Sequence, residues 1–339
     1  MFGLFNQKNK KYNILVLGSD GMLGYDVYDF FKKMSAIEGS QIGNVTGIDI
    51  KEQVALDTKF GLRYFFEEHP LHYDFCINCV AYTNTSKAEN YKDGYEQSYR
   101  LNVLAPRYIA EACVSFKTKL IHISTDYVFS QFSGHQGRFL EKPFSNSGNE
   151  FPCNMYGLHK LLGEKYIETT FLENKSTDYM ILRTSWLYGN HNNKSFIHKF
   201  LKNIYQTIKD NKTEVEMTEN EVSIPSSTMC VTYYISRIIR NFKYYSDFDV
   251  HHLNAVPSSE NGEGVSRVEF AREILKDLGT CDNIKFNSIE VKPVIRDTYQ
   301  PTYSALQNTF SDTPDWKTYL HTFLTSFRYD IVLWLKEQN

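Results

Sequence analysis

Tyr156 and Lys160 stand four residues apart in Asn154-Met155-Tyr156-Gly157-Leu158-His159-Lys160. On a helix they project from one face, about a turn apart. A free phenol has a pKa of about 10. An ammonium beside it favours phenolate, so such a tyrosine can exchange a proton with substrate near neutral pH. The same spacing is also common as a plain surface pair. Only the elements that position the two residues give it meaning.

The first of those elements is at the N-terminal end. Tyr12 to Leu17 is a short apolar run, Gly18-Ser19-Asp20-Gly21-Met22-Leu23-Gly24 follows it, and Tyr25 to Lys33 has helical apolar spacing. Strand, glycine-rich turn and helix in that order let backbone approach a pyrophosphate at a helix N-terminus. The spacing G-x-x-G-x-x-G is one residue longer than that of ordinary dehydrogenases and points to the short-chain type. A second strand, Gly43 to Asp49, ends on an acid placed to accept from an adenosine ribose, which favours NAD; Lys51 lies close enough to receive a 2'-phosphate instead, so NADH and NADPH both stay open.

The alternation continues. Phe60–Glu68, Ser98–Phe116 and Tyr156–Phe171 read as helices, and Asp74–Ala81, Lys119–Ser124 and Tyr179–Arg183 as strands. Repeated β-α units of this kind predict an α/β fold, a Rossmann-type doubly wound parallel sheet with ligand at the carboxyl ends of its strands. Leu120 to Ser124 delivers Thr125 and Asp126 to that edge, where a hydroxyl can bond a substrate carbonyl. The expected division is a tail over 1–11, an NAD(P)-binding domain over 12–185 to which 226–254 returns, and a smaller C-terminal substrate-binding domain from 186–225 and 255–335. In the latter part Asn192–Lys209 reads as loop then helix, Glu214–Pro225 as strand and turn, and Thr228–Asn241, Val265–Leu278 and Tyr319–Leu335 as helices, with Trp316 and Trp334 packing.

Composition narrows the function classes. A net charge of -3 gives no electrostatic case for nucleic acid or an anionic membrane. The Met1 to Lys11 stretch does not read as a signal peptide, and no apolar run approaches the ~20 residues of a spanning helix. Six scattered cysteines fit a reduced compartment, so a cytoplasmic protein is expected. Cys76 and Cys79 look like a metal or redox pair, but residues three apart on a strand face opposite sides, and buried small side chains are expected instead. By the same geometry neighbouring His251 and His252 are not a ligand pair. There is no internal repeat, Walker A loop, H-E-x-x-H or G-x-S-x-G.

Five segments in order carry a family resemblance: Gly18-x-x-Gly21-x-x-Gly24, Asn78 to Thr83, Ser124 to Phe129, Tyr156-Gly157-x-x-Lys160-x-x-Gly163-Glu164, and Leu182 to Tyr188. The chain closely resembles the dTDP-4-dehydrorhamnose reductase family of extended short-chain dehydrogenase/reductases, over about residues 12–335. The resemblance implies reduction of a 4-keto group on a nucleotide-activated 6-deoxy sugar, giving an L-rhamnose-type donor. Thr125, Tyr156 and Lys160 would be catalytic: Tyr156 protonates the oxygen, Lys160 lowers the Tyr156 pKa and holds the nicotinamide ribose, and Thr125 bonds the reacting carbonyl. Gly18, Asp20, Gly21, Met22, Leu23, Gly24, Asp49, Ile50, Cys79, Val80, Ala81, Tyr82, Asn102, Tyr156 and Lys160 would hold the cofactor. Thr83, Thr125, Asp126, Tyr127, Trp186 and Arg296 would hold the sugar nucleotide.

Tyr127 stands where the related 4,6-dehydratases carry a catalytic Glu, which argues for simple reduction. Some family members also use Mg2+ at a homodimer contact, with no ligands assigned in this sequence. Departures fall in the substrate half: Thr85-Ser86 for Val-Asp, Ser223-Ile224-Pro225-Ser226 for Gly-x-Pro-Thr, and Gln300 for the Arg ahead of Pro301. Arg296 could replace that lost charge, because an amide does not replace a guanidinium fork. The alternative readings are a non-catalytic cofactor-binding subunit, like that of methionine adenosyltransferase, and another nucleotide-sugar reaction such as epimerisation.

Overall fold

The computed structural model describes residues 11–49, 54–129, 152–247, 251–259, 263–296, 300–310 and 312–337. Six strands form one parallel sheet: β1 (Tyr12–Leu17), β2 (Ile42–Ile48), β3 (Phe75–Asn78), β4 (Lys119–Thr125), β5 (Tyr179–Thr184) and β6 (His252–Asn254). Their spatial order is β6-β5-β4-β3-β1-β2. Alternate residues of each strand enter two different cores. Ile14, Val16, Ile77, Ile121 and Leu182 face one, while Leu15, Leu17, Cys76, Leu120 and Ile181 face the other. Burial on both faces is why these strands read as unbroken apolar runs. It also separates Cys76 from Cys79, which packs against the opposite core.

Helices α1 (Met22–Ser35), α2 (Gly61–Glu68), α3 (Ala105–Phe116) and α4 (Met155–Glu173) alternate with the strands. The helix expected over Ser98–Phe116 is not uniform. It opens into a π turn at Arg100–Leu104, between a short helix at Tyr95–Tyr99 and α3. Pro106 explains the widening, because it has no N–H to give the Asn102 carbonyl four residues back. The Thr228–Asp247 helix packs on α1, and His252–Asn254 joins the sheet beside β5. His251 stacks on Tyr179, whereas His252 turns to Glu168, 2.8 Å away.

A third core gathers the remaining elements, including Phe196–Lys209, Arg267–Leu278 and Trp316–Glu337. Trp316 is buried in it and Trp334 packs against it. Val265 and Ser266, expected as helix, pair with Ser223 and Val222 as a short antiparallel ladder, and the helix begins at Arg267. Val128 and Phe129, just past β4, are members of this third core. The Thr125–Phe129 turn is therefore where the sheet meets the C-terminal elements.

Candidate active site

The glycine turn runs between β1 and α1. Gly18 has φ of +82°, and its N–H donates to Ile48 O at 2.7 Å, tying the turn to β2. A Cβ on Gly24 would sit 1.9 Å from Gly18 O, so α1 starts flush against the turn. The Asp20 N–H donates to Asp49 Oδ2 at 2.9 Å, so the acid at the end of β2 is aimed back at the turn. Met22 and Leu23 open α1, and Val80 lies against Gly18. Asn102 clamps the next loop at two points, accepting from Tyr82 N–H at 3.0 Å and donating to Tyr82 O at 2.9 Å. The structure thus gathers Gly18, Asp20, Gly21, Met22, Leu23, Gly24, Asp49, Cys79, Val80, Ala81, Tyr82 and Asn102 along one sheet edge; Ile50 and Lys51 lie outside the described residues. A cradle in which a single added Cβ would collide with backbone fits a dinucleotide. Gly24→Ala is expected to weaken dinucleotide binding and cost about 1–3 kcal/mol of stability, read by fluorescence titration and denaturant unfolding.

Tyr156 reaches the same edge because of how α4 begins. Asn154 caps it, accepting from Gly157 N–H at 2.8 Å, and Glu89 accepts from Met155 N–H at 2.6 Å. A Cβ on Gly157 would lie 2.2 Å from Tyr127 O, so a glycine there lets the helix press on the turn after β4. The Tyr156 phenol bonds Thr125 and meets the Tyr127 ring edge-on at 5.5 Å. Burial pushes that phenol up to about 12, with the Thr125 bond pulling the other way.

One expectation changes here. The Thr125 hydroxyl donates to Asp126 Oδ1 at 3.0 Å. The same hydroxyl is what draws the Tyr156 phenol toward phenolate. Lys160 Nζ is turned to Ile123 O, 2.7 Å away, and to His122 Nε2 at 3.4 Å. It does not lower the Tyr156 pKa in this arrangement, and burial takes its own ammonium down to about 8.

On the substrate side, Asp126 is buried and its Oδ2 accepts from Ser223 at 2.8 Å and from Ser304. Burial raises its carboxyl to about 6 against the pull of those hydroxyls. It therefore binds the sheet edge to the C-terminal elements. Thr83 is exposed on the loop that Asn102 clamps. The departures Thr85 and Gln300 meet directly, Gln300 Nε2 donating to Thr85 Oγ1 at 3.0 Å.

Arg296 does not supply the missing charge to this cluster. It is half exposed and pairs with Glu216 at 3.3 Å. Arg267 is the cation that reaches this cluster: its guanidinium lies 3.5 Å over the Trp186 ring, pairs with Glu221, and acts on both Asp126 and Tyr127. Trp186 holds that position with a left-handed φ of 41°. Arg267 escaped the sequence reading because it looks like an ordinary first-turn residue of an amphipathic helix. No gathering of three or more His, Cys, Asp or Glu suited to a metal occurs among the described residues.

A parallel sheet with a glycine cradle at its first turn and a Thr-Tyr-Lys set at the same edge is the architecture of a short-chain dehydrogenase/reductase, an oxidoreductase. The chain matches the RmlD substrate binding domain family over residues 12–338 and belongs to it, within the dTDP-4-dehydrorhamnose reductase group of extended short-chain enzymes. A dTDP-4-dehydrorhamnose reductase of Mycobacterium tuberculosis is 26% identical over 237 residues, 70% of this chain and 69% of that one. Two crystal structures share the fold. That of a dTDP-4-dehydrorhamnose reductase from Clostridium acetobutylicum has a TM-score of 0.74 at 24% identity, covering 93% of this chain and 99% of its own. That of the Bacillus anthracis enzyme, in complex with NADP, has a TM-score of 0.72 at 22% identity over the same shares. No described helix is long and apolar enough to cross a membrane.

Proposed function

We propose that the protein reduces the 4-keto group of a dTDP- or UDP-activated 6-deoxy sugar with NADPH or NADH, giving an L-rhamnose-type donor. The observation that carries the reading is the Tyr156 phenol, bonded to Thr125 on the sheet edge that also bears the glycine cradle. When bound, the reduced nicotinamide supplies hydride to C4. The residues of the chain do the rest. Gly18, Gly21 and Gly24 admit the pyrophosphate at the start of α1, and Asp49 faces the adenosine ribose. Tyr156 donates its proton to the C4 oxygen. Thr125 stays anchored to Asp126 and orients the phenol. The site being buried strengthens each of these polar contacts relative to water.

Asp126, tied to Ser223 and Ser304, acts as a brace between cofactor side and sugar side, while Trp186 and Arg267 form the wall on which the sugar nucleotide rests. Arg267 offers a planar guanidinium suited to phosphate oxygens, once Glu221 is displaced. The similarity to named reductases supports reduction over epimerisation, and Tyr127 in place of a Glu speaks against dehydration.

The purified protein should consume NADPH or NADH only when given a dTDP- or UDP-4-keto-6-deoxy sugar, with the C4 alcohol identified by mass spectrometry. Dinucleotide binding with no turnover across such a panel would overturn the reading and favour a cofactor-binding subunit.

A further inference from the structure

Residues 189–193 run from the C-terminal elements to the start of α1, and both ends of the segment are fixed. Leu187 and Tyr188 pair in parallel with Ser226 and Ser227. Ser195 caps the Phe196–Lys209 helix, its Oγ accepting from the His198 N–H at 3.4 Å. Between these anchors three contacts reach the dinucleotide cradle. A Cβ on Gly189 would lie 3.1 Å from Met22 Cγ, on the first residue of α1. The His191 ring stacks flat on Tyr25, with centroids 3.8 Å apart and planes 1° from parallel. Asn192 Nδ2 donates to Asp20 O at 2.5 Å. The contacts thus fall on Asp20, Met22 and Tyr25, and these bracket the first N–H groups of α1, the ones a pyrophosphate takes. Asp20 is gripped from both sides, its N–H by Asp49 and its carbonyl by Asn192.

The two sides of the turn are held differently. Toward β2 the bonds are backbone to backbone, with the Gly18 and Ser19 N–H groups both donating to Ile48 O. Toward 189–193 they are side-chain contacts in water: none of residues 191–193 is buried, and Asp20, Tyr25 and Asn192 are all exposed. Asn192 and Asn193 take left-handed φ values of 69° and 50° in succession, a bend that asparagine tolerates better than most residues. Exposed bonds and a short bend between two fixed points make this the side that yields.

We propose that residues 189–193 are a clasp across the glycine turn, which opens for the dinucleotide to enter and to leave, with the Asn192 amide and the His191–Tyr25 stack as its catch. This rests on the glycine turn being the dinucleotide site. The same catch is released in both directions, so the clasp slows entry and exit together and leaves affinity nearly unchanged.

The test is stopped-flow fluorescence of NADPH and of NADH with the full chain, giving association and dissociation rates beside an equilibrium Kd. Asn192→Gly deletes the amide, and glycine accepts the left-handed φ without strain. Tyr25→Leu removes the stack from the α1 side and leaves the segment itself intact, so it carries the test if Asn192→Gly does not fold. Each should raise both rates by about three- to tenfold, the worth of one exposed hydrogen bond or ring pair, with Kd within about twofold. The double variant should exceed either single one. Rates that stay at their wild-type values in a folded variant overturn the clasp. A dissociation rate that rises alone, carrying Kd with it, also overturns it, because the residue is then a binding contact and not a catch. A wild type that binds neither dinucleotide is a different failure: it sinks the reading of the glycine turn as the cofactor site, and the clasp with it.

Discussion

Tyr156→Phe is expected to lower kcat by roughly 10²- to 10⁴-fold, the usual worth of a positioned proton transfer, while NADPH or NADH still binds. The Tyr156 phenol stands at the sheet edge with burial keeping it protonated. The Thr125 hydroxyl is bonded to Asp126, and Lys160 is turned to Ile123 and His122. Removing the oxygen deletes the donor but leaves the ring, which keeps its edge-on contact with Tyr127 and its place under the helix start. The dinucleotide cradle is built by other residues, so binding survives. Single-turnover kinetics with a 4-keto sugar nucleotide, beside a fluorescence titration of the dinucleotide, separates the two effects. If kcat falls less than tenfold, Tyr156 is not the proton donor.

Glu164→Gln is expected to destabilise the fold by about 3–5 kcal/mol, the cost of stranding one member of a buried ion pair. Glu164 and Arg183 are both wholly buried and joined by two parallel bonds, Nε to Oε1 at 3.0 Å and Nη2 to Oε2 at 2.6 Å. The Phe129 ring lies 4.9 Å from the guanidinium carbon. The pair locks α4 to β5 one turn beyond Lys160, so it sets the height at which the helix presents its reactive side chains.

Removing the charge of Glu164 leaves Arg183 without its counter-ion in an apolar interior. The double change Glu164→Leu with Arg183→Met should recover most of the loss, since neither charge then remains. The effect also depends on pH. Burial alone would raise the Glu164 carboxyl, but Arg183 outweighs it and holds the group at about 2 against an ordinary 4.5. A depressed carboxyl stabilises the fold fully above its unfolded value and loses that contribution as pH falls through the folded value. The gap between wild type and Glu164→Gln should therefore be widest above pH 4.5 and shrink toward pH 2. Urea midpoints across that range measure it; a gap that is constant with pH would mean the loss comes from packing rather than charge.

Much of the sheet was legible in the chain because parallel strands buried on both faces read as continuous apolar runs, and Ile14 to Leu17 or Leu120 to Ile123 are of that kind. The glycine turn was legible for a covalent reason: only glycine allows Gly18 its positive φ and Gly24 its approach to Gly18 O. Element ends were read less well, and for local reasons. Pro106 withheld one hydrogen bond and opened the π turn, and Val265 and Ser266 went to a strand because Ser223 and Val222 were there to pair with them.

The site divides along a similar line. Tyr156 and Lys160 sit at one helical spacing, so their sharing a helix face was readable without a fold. What each one touches was not. Lys160 meets Ile123 O and His122, and His122 meets Asn78, 44 residues earlier but adjacent across the sheet. The proton on Thr125 is claimed by Asp126, whose own partners Ser223 and Ser304 lie 97 and 178 residues further on. Arg296 and Arg267 could not be told apart by type or by nearness in the chain; only the packing put one in an exposed segment after a strand and the other over Trp186.

The sequence by itself determined the family of chemistry, because local backbone geometry and a helical repeat are short-range properties. The company each of these side chains keeps was decided by the tertiary structure alone, because it depends on burial and on which distant groups a side chain meets.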